Sequence, residues 1–269
     1  MTEGEDSGVA GSELDRRRFL RAAATAGVVS TAGLSAFDTV GAQSSGGNEL
    51  GKIETGDGVG SSPTVVDDTV YFGTSDHDLY AAVEDAWIFR TDDIVESSPM
   101  VVGGTVYVGS KDDNLYAVDA ASGEQNWSFE TGKFVYSSPT VVDGVIYFGS
   151  ADNNLYAVEA SSGEQVWSFQ AGNAVNSSPT VVDDTVYFGS HDNNLYAVEA
   201  SSGEEVWSFE TDDIVYSSPT VVDDTVYFGS QDNNLYAVEV ATGEEVWSFE
   251  TGDKISSSPT VADGILYIG

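Results

Sequence analysis

Three observations predict an all-β fold of repeated four-stranded sheets. Tryptophans recur every 40 residues, and the tripeptide Ser-Ser-Pro recurs at the same spacing after a first gap of 36 residues. Each unit contains four runs rich in Val, Tyr, Phe and Thr, bounded by Asp, Asn, Gly or Ser. No apolar pattern of helical period occurs across these units. Four antiparallel strands in about 40 residues, repeated in series, are typical of the blades of a β-propeller.

The unit that begins at Ser177 shows the four predicted strands, here named A, B, C and D. They are Thr-Val-Val, Thr-Val-Tyr-Phe-Gly, Leu-Tyr-Ala-Val-Glu-Ala and Val-Trp-Ser-Phe-Glu-Thr. Asp-Asp or Asp-Gly between A and B suits a tight hairpin, and Asn153-Asn154 and Asn193-Asn194 suit left-handed loop positions. Strands A and B are nearly continuously apolar, so we expect burial on both faces. The tryptophans of strand D are predicted to seal one blade to the next: Trp87, Trp127, Trp167, Trp207 and Trp247.

The repeats begin at residues 61, 97, 137, 177, 217 and 257, within a propeller domain of residues 48–269. This spacing predicts five complete blades plus an incomplete sixth. Residues 48–57 end in Ile-Glu-Thr-Gly-Asp, which matches Phe-Glu-Thr-Gly-Asp at 249–253 and predicts a strand D. The last repeat supplies only strands A and B. We expect a C-terminally shortened version of a longer propeller, and the alternative is a six-bladed ring with one three-stranded blade.

The N-terminus has the layout of an export signal over residues 1–42, followed by a linker at 43–47. A basic head precedes the small, mildly apolar segment from Ala22 to Phe37, which is too short and Ala/Gly-rich for a membrane span. Arg16, Arg17, Phe19 and Leu20 form a pattern that resembles the twin-arginine export signal. No cysteine follows, so we expect an extracellular or cell-surface protein that is not a lipoprotein.

The charge is strongly negative, with 45 acidic and 9 basic residues and a net charge of −36. Nucleic acid is excluded as a partner because binding it needs a basic surface. The acidic residues are spread over every repeat, which favours adaptation to high salt over a general gain in solubility. At about 1 M salt, charge repulsion is screened within about 3 Å. The composition resembles that of halophilic archaea.

The string Leu-Tyr-Ala-Val-Glu-Ala-Ser-Ser-Gly-Glu-Glu-Val-Trp at 195–207 carries a family resemblance. It is similar to the tryptophan-docking repeat of the pyrroloquinoline-quinone-like propellers, which include quinoprotein alcohol dehydrogenases, haloarchaeal secreted propellers and the propeller lipoprotein of the outer-membrane barrel assembly machine. The resemblance covers about residues 48–269 and implies a propeller, usually with seven or eight blades. In the dehydrogenases it also implies a quinone, calcium and a catalytic carboxylate.

The strand order predicts that the loops divide between two faces of the propeller. The A–B and C–D turns hardly vary, whereas the B–C and D–A loops differ between repeats. We expect a protein or small-molecule partner on this second face because binding residues are common on variable loops of a rigid frame. Drift after duplication explains the variation equally well. The candidate residues are Glu96, Lys111, Tyr136, Asn176, His191, Tyr216 and Gln231.

The sequence predicts a binding or scaffolding module, and it identifies no catalytic, metal-binding or cofactor-binding residue. The Asp-Asn-Asn group at Asp152 recurs in the blades, which favours turn formation over one calcium site. A dehydrogenase using pyrroloquinoline quinone and calcium, or a degenerate remnant of one, is the alternative. His77 and His191 are expected to be solvated. Two glycosylation sequons begin at Asn126 and Asn176, of which Asn176 is expected to be the more accessible.

Overall fold

The computed structural model describes residues 53–82 and 86–269. The predicted export signal with Arg16, Arg17, Phe19 and Leu20, the linker at 43–47, and residues 84 and 85 lie outside the described residues. The described part consists of β-strands, turns and loops. Within it, no helix is long and apolar enough to cross a membrane.

Five four-stranded antiparallel sheets and one two-stranded sheet form the described fold, so the prediction of five complete blades and an incomplete sixth is confirmed. The strands of the first three blades are β1 (Thr64–Val66), β2 (Thr69–Gly73), β3 (Asp78–Ala82) and β4 (Trp87–Arg90); β5 (Met100–Val102), β6 (Thr105–Gly109), β7 (Asn114–Asp119) and β8 (Gln125–Glu130); β9 (Thr140–Val142), β10 (Val145–Gly149), β11 (Asn154–Glu159) and β12 (Gln165–Gln170).

The remaining blades continue the same order of strands A to D. Their strands are β13 (Thr180–Val182), β14 (Thr185–Gly189), β15 (Asn194–Glu199) and β16 (Glu205–Glu210); β17 (Thr220–Val222), β18 (Thr225–Gly229), β19 (Asn234–Glu239) and β20 (Glu245–Glu250); and β21 (Thr260–Ala262) with β22 (Ile265–Tyr267). Within each sheet, every strand pairs with the next one along the chain, as in β13-β14-β15-β16.

The turns take the backbone conformations that their residues favour. Asp183 and Asp184, between strands A and B, have φ of 44° and 64°, as the primed turns of tight hairpins require. Asn153 and Asn193, in the B–C loops, have φ of 79° and 73°. Asn and Asp tolerate this left-handed region better than other residues with a side chain. The turn predictions are therefore confirmed for Asp183-Asp184, Asn153 and Asn193. They were wrong for Asn154 and Asn194, which begin strand C in β11 and β15.

The hydrophobic core consists of layers between adjacent blades. In one layer, Tyr147, Leu155 and Trp167 of the third blade pack on Val186 and Phe188 of the fourth. Strand B is buried on both faces, as predicted, but strand A is only half-buried in most blades. The expectation for strand A was wrong because strand A is an edge strand that pairs only with strand B, which leaves part of it without cover.

Hydrogen bonds between successive Ser-Ser-Pro segments join each blade to the next. The Ser98 N–H donates to Ser138 Oγ at 2.9 Å, and the Ser138 N–H donates to Ser178 Oγ at 2.9 Å. The same bond begins at Ser62 and continues to Ser258, with lengths up to 3.1 Å. The second serine of the motif therefore links each blade to the next by a hydrogen bond.

The predicted strand D at 48–57 is not formed over the part that the structure describes. Ile53 and Glu54 are not in a strand. Strand D pairs with strand C in every complete blade, and among the described residues no strand C lies beside Ile53 and Glu54. Residues 55–57 instead repeat the corner that follows strand D, in which Thr55 Oγ1 donates to the carbonyl of Asp57 at 2.6 Å and Thr211 Oγ1 donates to that of Asp213.

Candidate functional site

The B–C and D–A loops lie on one face, here called the axial loop face. Each B–C loop is held between two D–A loops by backbone hydrogen bonds. The Lys111 N–H donates to the carbonyl of Ile94 at 2.9 Å, and the Val135 N–H donates to the carbonyl of Ser110 at 2.9 Å. The same pair of bonds places His191 between the loops at Ala174 and Val215. A variable B–C residue therefore lies between the variable D–A residues of two successive blades.

Lys111, Glu96 and Tyr136 form the first cluster on this face. Lys111 Nζ lies 3.0 Å from Glu96 Oε1 and 4.8 Å from the centre of the Tyr136 ring. Its side chain is 21% exposed. The interaction with Tyr136, and then the pair with Glu96, raise the pKa of Lys111. Phe134 packs edge-on against Tyr136, with ring centres 4.9 Å apart. The ammonium therefore sits in a neutral pair against an aromatic surface.

Asn176, His191 and Tyr216 form a second cluster, displaced by 80 residues from the first, that is, by two blades. Asn176 Nδ2 lies 3.3 Å from His191 Nε2, and the centres of the His191 and Tyr216 rings are 5.6 Å apart. Burial lowers the pKa of His191, against a smaller opposing effect of Asp192. The expectation of a solvated His191 was therefore wrong. An aromatic and an amide neighbour hold it mainly as the neutral imidazole near neutral pH.

Residues of the first cluster act electrostatically on Tyr216 of the second. Burial raises the pKa of Tyr216, and Tyr136 and Glu96 raise it further, while Lys111 acts in the opposite direction. Gln231 makes a separate contact on this face, since its Nε2 lies 3.4 Å from Ser256 Oγ. All seven residues predicted for this face thus take part in contacts with another residue of the face. Between the clusters, Ala151 occupies the repeat position of Lys111 and His191 and is nearly buried.

The accessibility of Asn176 also differs from the sequence-based expectation. Its Oδ1 is buried and has no hydrogen-bond donor among the described residues. Its Nδ2, the atom that a glycan would modify, is next to His191. Asn126 is exposed on strand D. The order of accessibility of the two sequons is therefore the reverse of the expected one.

The charges of the described residues are distributed unequally between the faces. Their four basic residues lie in the B–C and D–A loops or at the end of strand D that leads into them: Arg90, Lys111, Lys133 and Lys254. Three of them pair with acids of the same face, as Lys254 Nζ does with Asp213 Oδ2 at 3.2 Å. The described A–B and C–D turns carry no basic residue. The axial loop face is therefore the less negative of the two.

The Asp-Asn-Asn groups do not fit a calcium site. Asp152 Oδ2 accepts hydrogen bonds from the Gly132 N–H at 2.7 Å and from the Tyr156 hydroxyl at 2.7 Å, and its Oδ1 accepts from the Asn154 backbone N–H at 3.0 Å. Burial alone would raise the pKa of Asp152, but these donors lower it overall. Both carboxylate oxygens serve the turn. In residues 53–82 and 86–269, no three His, Cys, Asp or Glu residues are grouped as metal ligands.

The tryptophans lie at the outer strands, between blades. Trp127 Nε1 donates to the carbonyl of Ala160 in the next blade at 3.1 Å, and its ring lies beside Tyr107, with ring centres 6.0 Å apart. Trp87, Trp167 and Trp207 make the same bond to the residue 33 positions later. Trp247 lies beside Tyr227 and is 39% exposed.

Solved structures with the same architecture include a computationally designed protein, Ika8, and BamB from Moraxella catarrhalis. Ika8 is 14% identical with a TM-score of 0.67, over 77% of this chain and 66% of that protein, just under two thirds of its length. BamB is 17% identical with a TM-score of 0.56, over 81% of this chain and 85% of that protein. These similarities show the fold. No curated protein sequence matches the chain.

A family match covers most of the propeller. Residues 82–213 and 191–269 match the family described as outer membrane protein assembly factor BamB. Together these segments span all the blades after the first and reach into the first itself, which is more than half of the chain. The resemblance to pyrroloquinoline-quinone-like repeats is therefore confirmed. The chain belongs to the PQQ-like β-propeller repeat family that is described as outer membrane protein assembly factor BamB.

Proposed function

We propose that this chain is a non-enzymatic binding module, exported to the cell surface or beyond, that holds a partner on the axial loop face at high salt. One observation carries the proposal. Residues that differ between repeats are held in two clusters of contacting side chains, one of Glu96, Lys111 and Tyr136 and one of Asn176, His191 and Tyr216. A solvated loop surface would not need such contacts, whereas a binding surface requires side chains held in place before the partner arrives.

A protein is the favoured partner for two reasons. The matching family is named for an assembly factor. In addition, the face pairs basic residues with nearby acids, as in Lys111–Glu96. Another surface can cover such pairs at a lower cost of desolvation than the acids of the opposite turns, whose described residues include no basic partner. Tyr216, which is 36% exposed, offers a large amphipathic side chain of the type enriched in protein interfaces.

The proposed high-salt setting rests on the net charge of −36, and the proposed export rests on the sequence pattern at Arg16 and Arg17. At low salt, the many carboxylates repel one another over distances of about 10 Å, whereas molar salt limits this repulsion to about 3 Å. The absence of cysteine is compatible with export, although it leaves the fold without disulfide stabilisation.

The test is partner capture with the full chain in molar salt. The double variant Tyr136→Ser, Tyr216→Ser is compared with Tyr267→Ser, a control that removes an exposed tyrosine from the last blade. We expect the double variant to lose at least about tenfold in partner retention and the control to retain the partner, since buried aromatic contacts dominate interfaces. Equal retention by the two variants would refute binding at this face.

The enzymatic alternative is tested separately. The chain is incubated with pyrroloquinoline quinone and calcium in molar salt, and quinone retention and dye-linked alcohol oxidation are measured. Tight retention or turnover would refute the non-enzymatic proposal, whatever the capture experiment shows. We expect neither, because the carboxylate oxygens of Asp152 are already used by the Gly132 N–H and the Tyr156 hydroxyl.

A further inference from the structure

A cavity of about 400 Å³ lies between the B–C loop and strands C and D of the first blade. Its walls include His77 and Asp78 from the B–C loop and the start of strand C, and Ile88 and Arg90 from strand D. These residues are distinct from the seven candidate residues of the axial loop face. A volume of this size is within the range of sites that bind small organic molecules.

Four of the wall residues are at positions where the first blade departs from the other four. His77 replaces Asp or Asn, Asp78 replaces Asn, Ile88 replaces Ser, and Arg90 replaces Glu or Gln. The equivalent residues in blades two to five are Asp113, Asn114, Ser128 and Glu130; Asn153, Asn154, Ser168 and Gln170; Asn193, Asn194, Ser208 and Glu210; and Asn233, Asn234, Ser248 and Glu250. The first blade also departs elsewhere, as at Thr74 and Ala82, but the departures at this cavity include a reversal of charge, at Arg90.

Asp78 and Arg90 form a cross-strand ion pair at the cavity wall. They are direct partners in the pairing of β3 with β4, and Arg90 Nε donates to Asp78 Oδ1 at 3.1 Å. The Asp78 side chain is 5% exposed, whereas the Arg90 side chain is 69% exposed. Asp78 therefore positions the guanidinium through one N–H and leaves most of the charged group accessible.

The other acid of the cavity is already saturated with hydrogen bonds. Asp76 accepts from the Gly56 N–H at 2.7 Å, from the Tyr80 hydroxyl at 3.1 Å and from the Thr74 hydroxyl. His77 is partly exposed, with Nε2 4.0 Å from Asp93 Oδ1, and has a left-handed backbone with φ of 71°. The accessible polar groups of the cavity are thus the Arg90 guanidinium and the His77 imidazole, beside the apolar side chain of Ile88.

The geometry points to a carboxylate-binding site in this cavity, with Arg90 as the main donor, His77 as a second donor and Ile88 against the apolar part of the ligand. A guanidinium presents parallel N–H groups that match the two oxygens of a carboxylate. Arg90 places a positive charge where the other blades have Glu or Gln. A cationic ligand would therefore bind better to the residues of the other blades than to this cavity. The carboxylate can belong to a free organic acid or to an acidic side chain of a polypeptide.

Matched probes separate these two sources. Binding to the full chain is measured by calorimetry in molar salt with benzoate and its neutral isostere benzamide. It is also measured with the blocked tripeptides acetyl-Ala-Glu-Ala-amide and acetyl-Ala-Gln-Ala-amide. We expect at least one carboxylate probe to bind at least about tenfold more tightly than its amide, because a hydrogen bond to a charged group contributes about 1.5–3 kcal/mol. Preference for benzoate identifies a free acid, and preference for the Glu peptide identifies a polypeptide side chain.

The variant Asp78→Asn, Arg90→Glu provides the control because it installs the pair that the chain itself uses at Asn114–Glu130 and Asn194–Glu210. It should keep the thermal midpoint and lose carboxylate binding. It should also keep the partner retention that Tyr136→Ser, Tyr216→Ser removes, so the failure of one proposal leaves the other standing. Equal binding of carboxylate and amide probes, binding of neither, or unchanged binding by the variant would overturn the inference.

Discussion

Docking of a tryptophan on the C–D turn of the next blade requires a glycine at position 163, and this requirement can be tested. This residue has φ of +74°, and a Cβ built on it would lie 2.8 Å from Cδ2 of Trp127. Gly144 has φ of +79°, but a Cβ there would meet no heavy atom within 4 Å. Gly163→Ala therefore combines backbone strain with a clash, whereas Gly144→Ala brings the strain alone.

The expected magnitude follows from these two terms. The left-handed backbone costs an alanine about 1–2 kcal/mol in both variants. The clash adds about 1–3 kcal/mol in Gly163→Ala alone, as is usual when a packed site receives an extra methyl group. Trp127 cannot simply move aside, because its Nε1–H donates to the carbonyl of Ala160 at 3.1 Å. For a domain of this size, 1 kcal/mol shifts the thermal midpoint by about 2–4 °C. Gly163→Ala should therefore unfold about 5 °C below Gly144→Ala.

The assay is thermal unfolding in molar salt, followed by circular dichroism and by tryptophan fluorescence. A third comparison places Gly163→Ala in a Trp127→Ala background, where the clash is absent. There, the effect of Gly163→Ala should shrink to that of Gly144→Ala, as a double-mutant cycle reports for residues in contact. Equal midpoints for the two single variants, or an undiminished effect without the indole, would refute the docking argument.

Three further predictions concern the inter-blade bonds, protonation and salt. Ser138→Ala removes the acceptor of the Ser98 N–H and should lower the thermal midpoint by a few degrees, for a cost of about 1–3 kcal/mol; the exposed Ser168→Ala should not. Because burial lowers the pKa of His191 below 6.5, its stabilising contribution is present above about pH 6.5 and is lost as the pH falls through the folded-state value. His191→Gln should therefore reduce the fall of the thermal midpoint between about pH 7 and pH 5. An unchanged dependence of the midpoint on pH would contradict this. Lowering the salt concentration from molar to about 0.1 M should lower the midpoint sharply, because repulsion then reaches about 10 Å; a constant midpoint would contradict the proposed adaptation to salt.

Much of the architecture could be predicted from the sequence because the repeat carries its own local rules. Asp183-Asp184 and Asn193 specify their turns through conformations that few other residues tolerate. The regular spacing of Trp127, Trp167 and Trp207 indicated one docking contact per blade. Prediction failed for Ile53 and Glu54, since a strand D needs a strand C beside it and the pattern of residues alone does not supply that partner.

The candidate site was predicted only in part. The variable positions indicated the loops that carry the two clusters, but the sequence did not indicate that Asn176, His191 and Tyr216 repeat the arrangement of Glu96, Lys111 and Tyr136. Comparing the repeats at intervals of two blades would have revealed this correspondence. Four residues that line the cavity of the first blade also differ from their equivalents in the other blades: His77, Asp78, Ile88 and Arg90. A comparison of the repeats could have indicated this site.

The sequence by itself determined the period, the strand order, the turns and the negative charge, because these depend on neighbouring residues and on composition. Only the tertiary structure decided which side chains from different blades meet and how far each one is removed from water. Burial of His191 is set by loops about 15 residues before it and 25 residues after it, and exposure of Arg90 is set by the pairing of β3 with β4. Those environments determine the proton affinity and the accessible donors, and hence the binding chemistry of each site.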